Sequence, residues 1–152
     1  MMERRGILTA LMGAAAVLPG IRVARAADAP AKHRVAIHID KNDPALMNLV
    51  LNNASNVIEY YKGRGETAAV EIVAYGPGLH MLREDTSPVK PRLQSFKKTF
   101  PGMAFSACEN TKRGMEKAEG KEIPIVPEAT VVPSGVVRLM ELQEQGWSYL
   151  RP

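Results

Sequence analysis

The sequence predicts an α/β fold, a three-layer α/β/α sandwich around a mainly parallel sheet of about five strands. Short runs rich in apolar and β-branched residues alternate along the chain with longer stretches of helical periodicity. Parallel strands need crossover connections, and a helix between successive strands supplies them. The chain has 152 residues, of which 45% are hydrophobic, and this suffices for one domain with its own core.

The first predicted strand and helix lie next to each other. Residues 34–39 form an apolar strand. Asp43 and Pro44 then have the residue types of an N-cap and of the first helical position. Gly63 and Gly65 end the helix. Its predicted apolar face consists of Leu46, Val50, Ala54, Val57, Ile58 and Tyr61.

The rest of the chain repeats this alternation. Residues 69–75 form a second strand, which a tight Gly76-Pro77-Gly78 turn stops, and a short helix over 80–82 follows. The remaining predicted elements are a helix between Pro91 and Phe100, a strand over 103–108, a polar helix after Asn110-Thr111, a strand over 130–132, a helix capped by Ser134 and an edge strand over 147–150. Val137, Met140 and Leu142 are predicted to face inward from the last helix.

Residues 1–26 have the features of an export signal. Arg4-Arg5 is followed by an apolar run over 7–18, and Ala24-Arg25-Ala26 provides the small-residue cleavage pattern. The run is about 12 residues long, short of the roughly 20 that span a bilayer, so a cleaved signal is favoured over a stable membrane anchor. The arginine pair resembles a twin-arginine signal, and an ordinary secretory signal is the alternative. We therefore expect a periplasmic domain over 33–152, joined by a short tether over 27–32.

The charge of the chain does not indicate a nucleic-acid partner. The net charge is +4, but residues 1–26 hold four arginines and one glutamate. Their removal leaves 16 basic and 15 acidic side chains, which is close to balance. The single cysteine also excludes an internal disulfide framework and a multi-cysteine metal site within one chain.

Cys108 is the first candidate for chemistry. It closes a predicted strand and precedes a predicted helix, at the sheet edge where ligands of open parallel sheets bind. Backbone N–H groups and the helix dipole at that position favour the thiolate, although Glu109 opposes this. The alternative is that Cys108 is an inert buried residue, as free cysteines usually are.

Histidines near the same edge are further candidates. His38 lies near the end of the first strand, and His80 follows the Gly76-Pro77-Gly78 turn. Either has the chemistry of a base, or of a copper or zinc ligand together with Cys108. Asp40 is a possible partner for His38, and a hydrogen-bonded core histidine is the alternative reading. Gly76-Pro77-Gly78 matches neither a phosphate loop nor a dinucleotide motif, so no cofactor is expected. No serine hydrolase or metalloprotease motif occurs, and no resident metal is expected.

Several motifs together resemble the DsrE/DsrF-like family. They are His38-Ile39-Asp40, Leu51-Asn52-Asn53, the run from Val70 to Gly78, Ala107-Cys108-Glu109-Asn110-Thr111, Val132-Pro133-Ser134-Gly135-Val136-Val137 and Gly146-Trp147-Ser148-Tyr149-Leu150. The resemblance covers nearly all of residues 33–152. It implies the same three-layer sandwich around five parallel strands and a homo-oligomer, trimeric or hexameric.

The resemblance also implies a sulfur carrier or sulfurtransferase. Cys108 matches the cysteine that holds a persulfide in this family, and its partners would be a sulfane-sulfur donor and a thiol acceptor. We expect backbone N–H groups around Asn110 and Thr111 to stabilise the sulfur, His38 to exchange protons, and Gly76 and Gly78 to border the site. The alternatives are a non-catalytic binding or assembly module with a structural Cys108, or a metal-binding protein.

Overall fold

Five strands form a single parallel sheet in the computed structural model, which describes residues 30–152. The strands are β1 (His33–Ile39), β2 (Ala68–Ala74), β3 (Met103–Cys108), β4 (Thr130–Val132) and β5 (Ser148–Leu150). Their order is β4-β3-β2-β1-β5, and each neighbouring pair is parallel. The predicted export signal over 1–26 and most of the tether lie outside the described residues.

Helical segments connect these strands and cover both faces of the sheet. They are α1 (Pro44–Gly63), a 3-10 helix (Gly76–Leu82), α2 (Lys90–Thr99), α3 (Glu109–Glu119) and α4 (Gly135–Glu144). The predicted N-cap of α1 is confirmed, since Asp43 Oδ1 accepts from the N–H groups of Ala45 and Leu46 at 2.8 and 3.3 Å. The α/β/α fold predicted from the sequence is confirmed.

The two faces of the sheet are covered unequally. Strand residues alternate between the faces, so Ile37, Ile72 and Phe105 join α1, α2 and the 3-10 helix in the larger core. The other face holds a smaller cluster in which Leu139 and Leu142 of α4 pack on strand residues. In the described part of the chain, α4 alone covers this second face. The side chains of His38, Tyr75 and Cys108 belong to the same face, by the alternation of the strands.

The Gly76-Pro77-Gly78 segment makes the tight turn that the sequence predicts, with the Gly78 N–H bonded to the Tyr75 carbonyl at 3.1 Å. It opens the 3-10 helix, which begins directly after β2 and extends through Leu82. A Cβ on Gly78 would lie 2.4 Å from the backbone oxygen of Ile39, so only glycine permits this close approach. The segment therefore packs one end of the 3-10 helix against the carboxyl end of β1.

The inward face predicted for the last helix is wrong in part. Leu142 is buried, but Val137 and Met140 are 49% and 54% exposed, and Leu139 points inward instead. The face predicted for α1 likewise omits the buried Met47 and Leu51. In α4, apolar residues occur on two sides, so their spacing alone does not identify the side that meets the sheet. Within residues 30–152, no helix is both long and apolar enough to cross a bilayer.

Candidate functional site at the carboxyl edge of the sheet

Cys108 stands where the N-termini of two helices meet. It is the last residue of β3 and the N-cap of α3, so Asn110 and Thr111 occupy the second and third helical positions. The first residue of α4, Gly135, also approaches it: a Cβ built on Gly135 would lie 3.3 Å from Cys108 Cβ. The positive ends of two helix dipoles therefore act on one sulfur atom.

This environment favours the Cys108 thiolate. Burial is the largest single influence and by itself raises the pKa of the thiol. The Thr111 hydroxyl and the backbone N–H groups of Gly135, Thr111 and Asn110 act in the opposite direction, and together they hold the pKa below its ordinary value. Cys108 makes no N-cap hydrogen bond, so these groups act on the sulfur through their dipoles at longer range.

The hydroxyl group of Thr111 links two of the residues predicted from the sequence. Its Oγ1 accepts a hydrogen bond from the N–H of Gly76 at 2.9 Å, which leaves its own hydrogen free to be donated to the sulfur. Such a chain polarises the hydroxyl and strengthens it as a donor. Asn110, Thr111 and Gly76 therefore lie together at the site, whereas Gly78 contacts the backbone of Ile39 and Asp40 instead.

The sulfur site is largely covered in the folded chain. Cys108 is 4% exposed. Tyr75 and Gly135 are in contact range of each other beside it, since a Cβ on Gly135 would lie 2.9 Å from Tyr75 Cδ1. Cys108 lies at the strand end, as predicted, and the Tyr75 side chain and the first turn of α4 border its side chain closely.

His38 lies at the same edge but is separated from Cys108. Strand β2 runs between their strands, so the two backbones are roughly 9.5 Å apart, twice the interstrand spacing. The Tyr75 ring stacks on the His38 ring with centroids 4.4 Å apart. His38 Nδ1 pairs with the hydroxyl of Tyr149 at 3.0 Å, and its Nε2 is buried without a partner. Burial lowers the pKa of His38, which keeps the ring neutral near neutral pH.

The other predicted polar residues have different partners. Asp40 forms an ion pair with Arg151, close to His38. His80 Nδ1 is 2.8 Å from Thr86 Oγ1, outside the Cys108 site. Among the residues that the structure describes, no group of three or more His, Cys, Asp or Glu side chains could hold a metal ion.

Three residues of the site were not predicted from the sequence. The sequence places Tyr75 only in the second strand, Gly135 only at the start of the last helix, and Tyr149 only in an edge strand. Each reaches the site through the order of the strands or the placement of α4, which are tertiary features. The one local signal is Ser134, which caps α4 and precedes a glycine at the point of closest approach.

Comparisons with known proteins identify a similar solved structure. No family model matches the chain, and no curated protein does. The solved structure of the protein of unknown function MTH1491 from Methanobacterium thermoautotrophicum is similar, with 32% identity and a TM-score of 0.68. The match covers 80% of this chain and 100% of that one. This degree of identity over the whole of the other protein shows that the chain belongs to the same family as MTH1491.

Proposed function

We propose that this protein is an exported, DsrE-like sulfur carrier that holds a persulfide on Cys108. The observation that carries the proposal is the meeting of the N-termini of α3 and α4 at the only cysteine of the chain. A thiolate or a persulfide anion is stabilised by such N–H groups, as other anions are at helix N-termini. The resemblance of the Cys108-Glu109-Asn110-Thr111 segment to the DsrE/DsrF-like family supports the same assignment.

The proposed reaction is a transfer between sulfur atoms that needs no oxidant. The Cys108 thiolate attacks the terminal sulfur of a donor persulfide, R–S–SH. A bond forms between Cys108 Sγ and that sulfur, the donor S–S bond breaks, and R–S⁻ leaves with the electron pair. An acceptor thiolate then attacks the terminal sulfur of the Cys108 persulfide, and the Cys108 thiolate is regenerated. The N–H groups around Cys108 stabilise it as attacking group and as leaving group.

The burial of Cys108 limits the form of the donor. With 4% of the residue exposed, only a slim end such as a terminal sulfur fits against Sγ once the Tyr75 ring moves aside. Bulky electrophiles are expected to react slowly for the same reason. His38 is not in contact with Cys108, so a role in proton exchange would require a group with an exchangeable hydrogen, such as a bound water, between them.

Sulfur loading tests this proposal directly. Native protein is incubated with glutathione persulfide, separated from the reagent and analysed by intact mass. We expect an added mass of one sulfur atom that dithiothreitol removes and that is absent from Cys108→Ser. No added sulfur on the wild type, or equal addition to Cys108→Ser, would refute the carrier role.

A non-catalytic binding or assembly module is the second candidate, and the low exposure of Cys108 is the observation that favours it. In this case the sulfur is a packing group that the folded protein never releases. Loading from glutathione persulfide only after addition of urea would support this alternative. Loading of the native protein would exclude it.

We propose in addition that the protein assembles as a homo-oligomer, trimeric or hexameric. Helix α4 buries Leu139 and Leu142 against the sheet, yet Val136, Val137 and Met140 on its other sides are about half exposed. A helix that is apolar on several sides is usually buried in a larger core. Light scattering of the wild type should give the mass of an oligomer, and Met140→Glu should shift it towards a monomer. A monomeric wild type would contradict the assembly.

Export rests on the sequence of residues 1–26. A reporter protein that must fold in the cytoplasm is fused to the C-terminal end of this segment, and we expect the fusion to reach the periplasm. The double substitution Arg4→Lys and Arg5→Lys should prevent its export. Unchanged export of the double variant would favour the ordinary secretory route.

A further inference from the structure

Arg138 and Glu71 form a bidentate ion pair beneath the Cys108 site. Nε and Nη2 of Arg138, on α4, donate to the two carboxylate oxygens of Glu71, on β2, at 2.7 and 2.8 Å. Ser106 Oγ donates to the same carboxylate at 2.6 Å, and Ser106 lies two residues before Cys108 on β3. The network therefore ties α4 to the two central strands beside the sulfur.

The carboxylate of this network is an unusual group for its position. Glu71 is 4% exposed on a strand whose other central positions are apolar. Removing a carboxylate from water has a large cost, which a buried ion pair offsets only when its geometry is good and its oxygens are satisfied. Both conditions are met here, but the net contribution of such a pair to stability is small. The pair therefore fixes the relative position of α4 and the sheet more than it stabilises the fold.

Arg138 lies in the first turn of α4 and joins this turn to the sheet through Glu71. Leu139 and Leu142, further along the helix, pack on the sheet and hold the rest of α4. Gly135 lies one turn before Arg138. The backbone N–H of Arg138 donates to the Ser134 carbonyl at 2.9 Å, so the backbone of residues 134–138 moves as one helical turn. A shift of the arginine side of the turn would move the Gly135 N–H away from Cys108.

We propose that the Arg138–Glu71 pair is a positioning device for the sulfur chemistry: it fixes the first turn of α4 on the sheet and keeps the Gly135 N–H directed at the Cys108 sulfur. This inference rests on the proposed function, because it assigns a role within the same site. Both residues act through Gly135, so they are positioning residues and not catalytic ones.

The thiol pKa of the full chain tests the proposal, measured from the ultraviolet absorbance of the thiolate with the matching Cys108→Ser protein as background. Glu71→Leu and Arg138→Met remove charges of opposite sign. Charge alone would therefore lower the pKa in Glu71→Leu and raise it in Arg138→Met. Loss of positioning would instead raise the thiol pKa in both variants. We expect the thiolate-to-thiol ratio at a fixed pH to fall about threefold in each variant, which is the size expected for the loss of one interaction with a helix terminus.

Two further variants make the outcome decisive. Arg92→Met removes an arginine that joins α2 to Asn48 and Asn52 of α1, on the opposite face of the sheet, and should leave the thiol pKa unchanged. Arg138→Lys keeps the charge but loses the bidentate geometry, and it should raise the thiol pKa. Shifts of the thiol pKa in opposite directions in Glu71→Leu and Arg138→Met would overturn the proposal. If those two variants do not fold, an unchanged thiol pKa in Arg138→Lys would overturn it. A wild type that takes up no sulfur would defeat the carrier function and still leave the pKa comparison to decide the positioning role.

Discussion

Gly135 and Cys108 approach each other so closely that a single added methyl group on the glycine would stand 3.3 Å from Cys108 Cβ. The same methyl group would lie 2.9 Å from Tyr75 Cδ1 and 3.1 Å from Tyr75 Cβ. The Tyr75 Cβ is fixed by the strand end and does not yield easily. Glycine at this position therefore allows one helix N-terminus to reach the N-cap residue of another.

Gly135→Ala is expected to push the first turn of α4 away from the sulfur. Overpacking of this kind costs about 1–3 kcal/mol of the free energy of unfolding. The pKa of Cys108 should rise at the same time, because the Gly135 N–H retreats. Urea unfolding and the thiolate absorbance measure the two effects. Gly114→Ala is the matched control, since Gly114 lies in α3 with nothing within 4 Å of an added Cβ. Equal behaviour of the two variants would contradict the close-approach argument.

Thr111→Val should separate the hydroxyl group from the shape of the side chain. Valine preserves the shape but removes the acceptor of the Gly76 N–H and one donor towards the sulfur. We expect a loss of about 1–2 kcal/mol in the free energy of unfolding for the unpaired N–H group, and a higher thiol pKa. Thr111→Ser restores the hydroxyl and should recover the pKa, as the same absorbance titration would show. If the thiol pKa of Thr111→Val equalled that of the wild type, the Thr111 hydroxyl would not be a cause of the lowered pKa.

The fold could be predicted from the sequence because its signals are local. The strand over Met103–Cys108 is a buried apolar run, and Asp43-Pro44 and Ser134 mark helix starts at the right residues. The inward side of α4 could not be predicted, since its outward side is also apolar and only packing distinguishes Leu139 from Met140.

The candidate site shows the same division. Cys108, Asn110 and Thr111 are consecutive in one strand-to-helix junction, so their proximity follows from the sequence. The sequence predicts that His38 acts together with Cys108, but the strand order places β2 and the Tyr75 ring between them. Strand order depends on how all the crossovers pack together, and no local pattern in these residues encodes it.

The neutral His38 makes stability depend on pH in a window near neutrality. Burial holds the pKa of His38 below its ordinary value, so the unfolded chain binds a proton before the folded chain does. The free energy of unfolding should therefore decrease as the pH falls below about 6.5. In His38→Gln this decrease should be smaller, while the amide can still pair with Tyr149. Urea unfolding at several pH values measures it, and an undiminished decrease in His38→Gln would contradict the assignment.

Arg83, which follows the 3-10 helix, controls stability at lower pH through Asp85 and through Glu119 at the C-terminal end of α3. Its guanidinium group is 1% exposed and donates to Asp85 at 2.8 and 2.9 Å and to Glu119 at 3.0 Å. The hydrogen bonds from Arg83 hold the pKa of Asp85 far below its usual range and also lower the pKa of Glu119. A carboxyl group whose pKa is lower in the folded chain than in the unfolded chain stabilises the fold at pH values above its unfolded pKa. This stabilisation is lost as the pH falls towards the folded pKa.

Arg83→Met should lower the free energy of unfolding at neutral pH by about 3 kcal/mol. This is near the lower end of the range of losses seen when one partner of a buried ion pair is removed, because both carboxylates keep some access to water. The variant should also lose less stability than the wild type as the pH falls below about 5, where the carboxyl groups of the unfolded chain begin to take up protons. Among residues 30–152, Asp85 and Glu119 then keep only Lys121 as an ion-pair partner, so their pKa values are less depressed in the folded variant. Arg113→Met is the matched control, since Arg113 is exposed on α3 and pairs only with the side chain of Asn110 in the described structure. If the two methionine variants lost the same stability, or if Arg83→Met kept the full acid dependence of the wild type, the buried network would not be the source of the acid sensitivity.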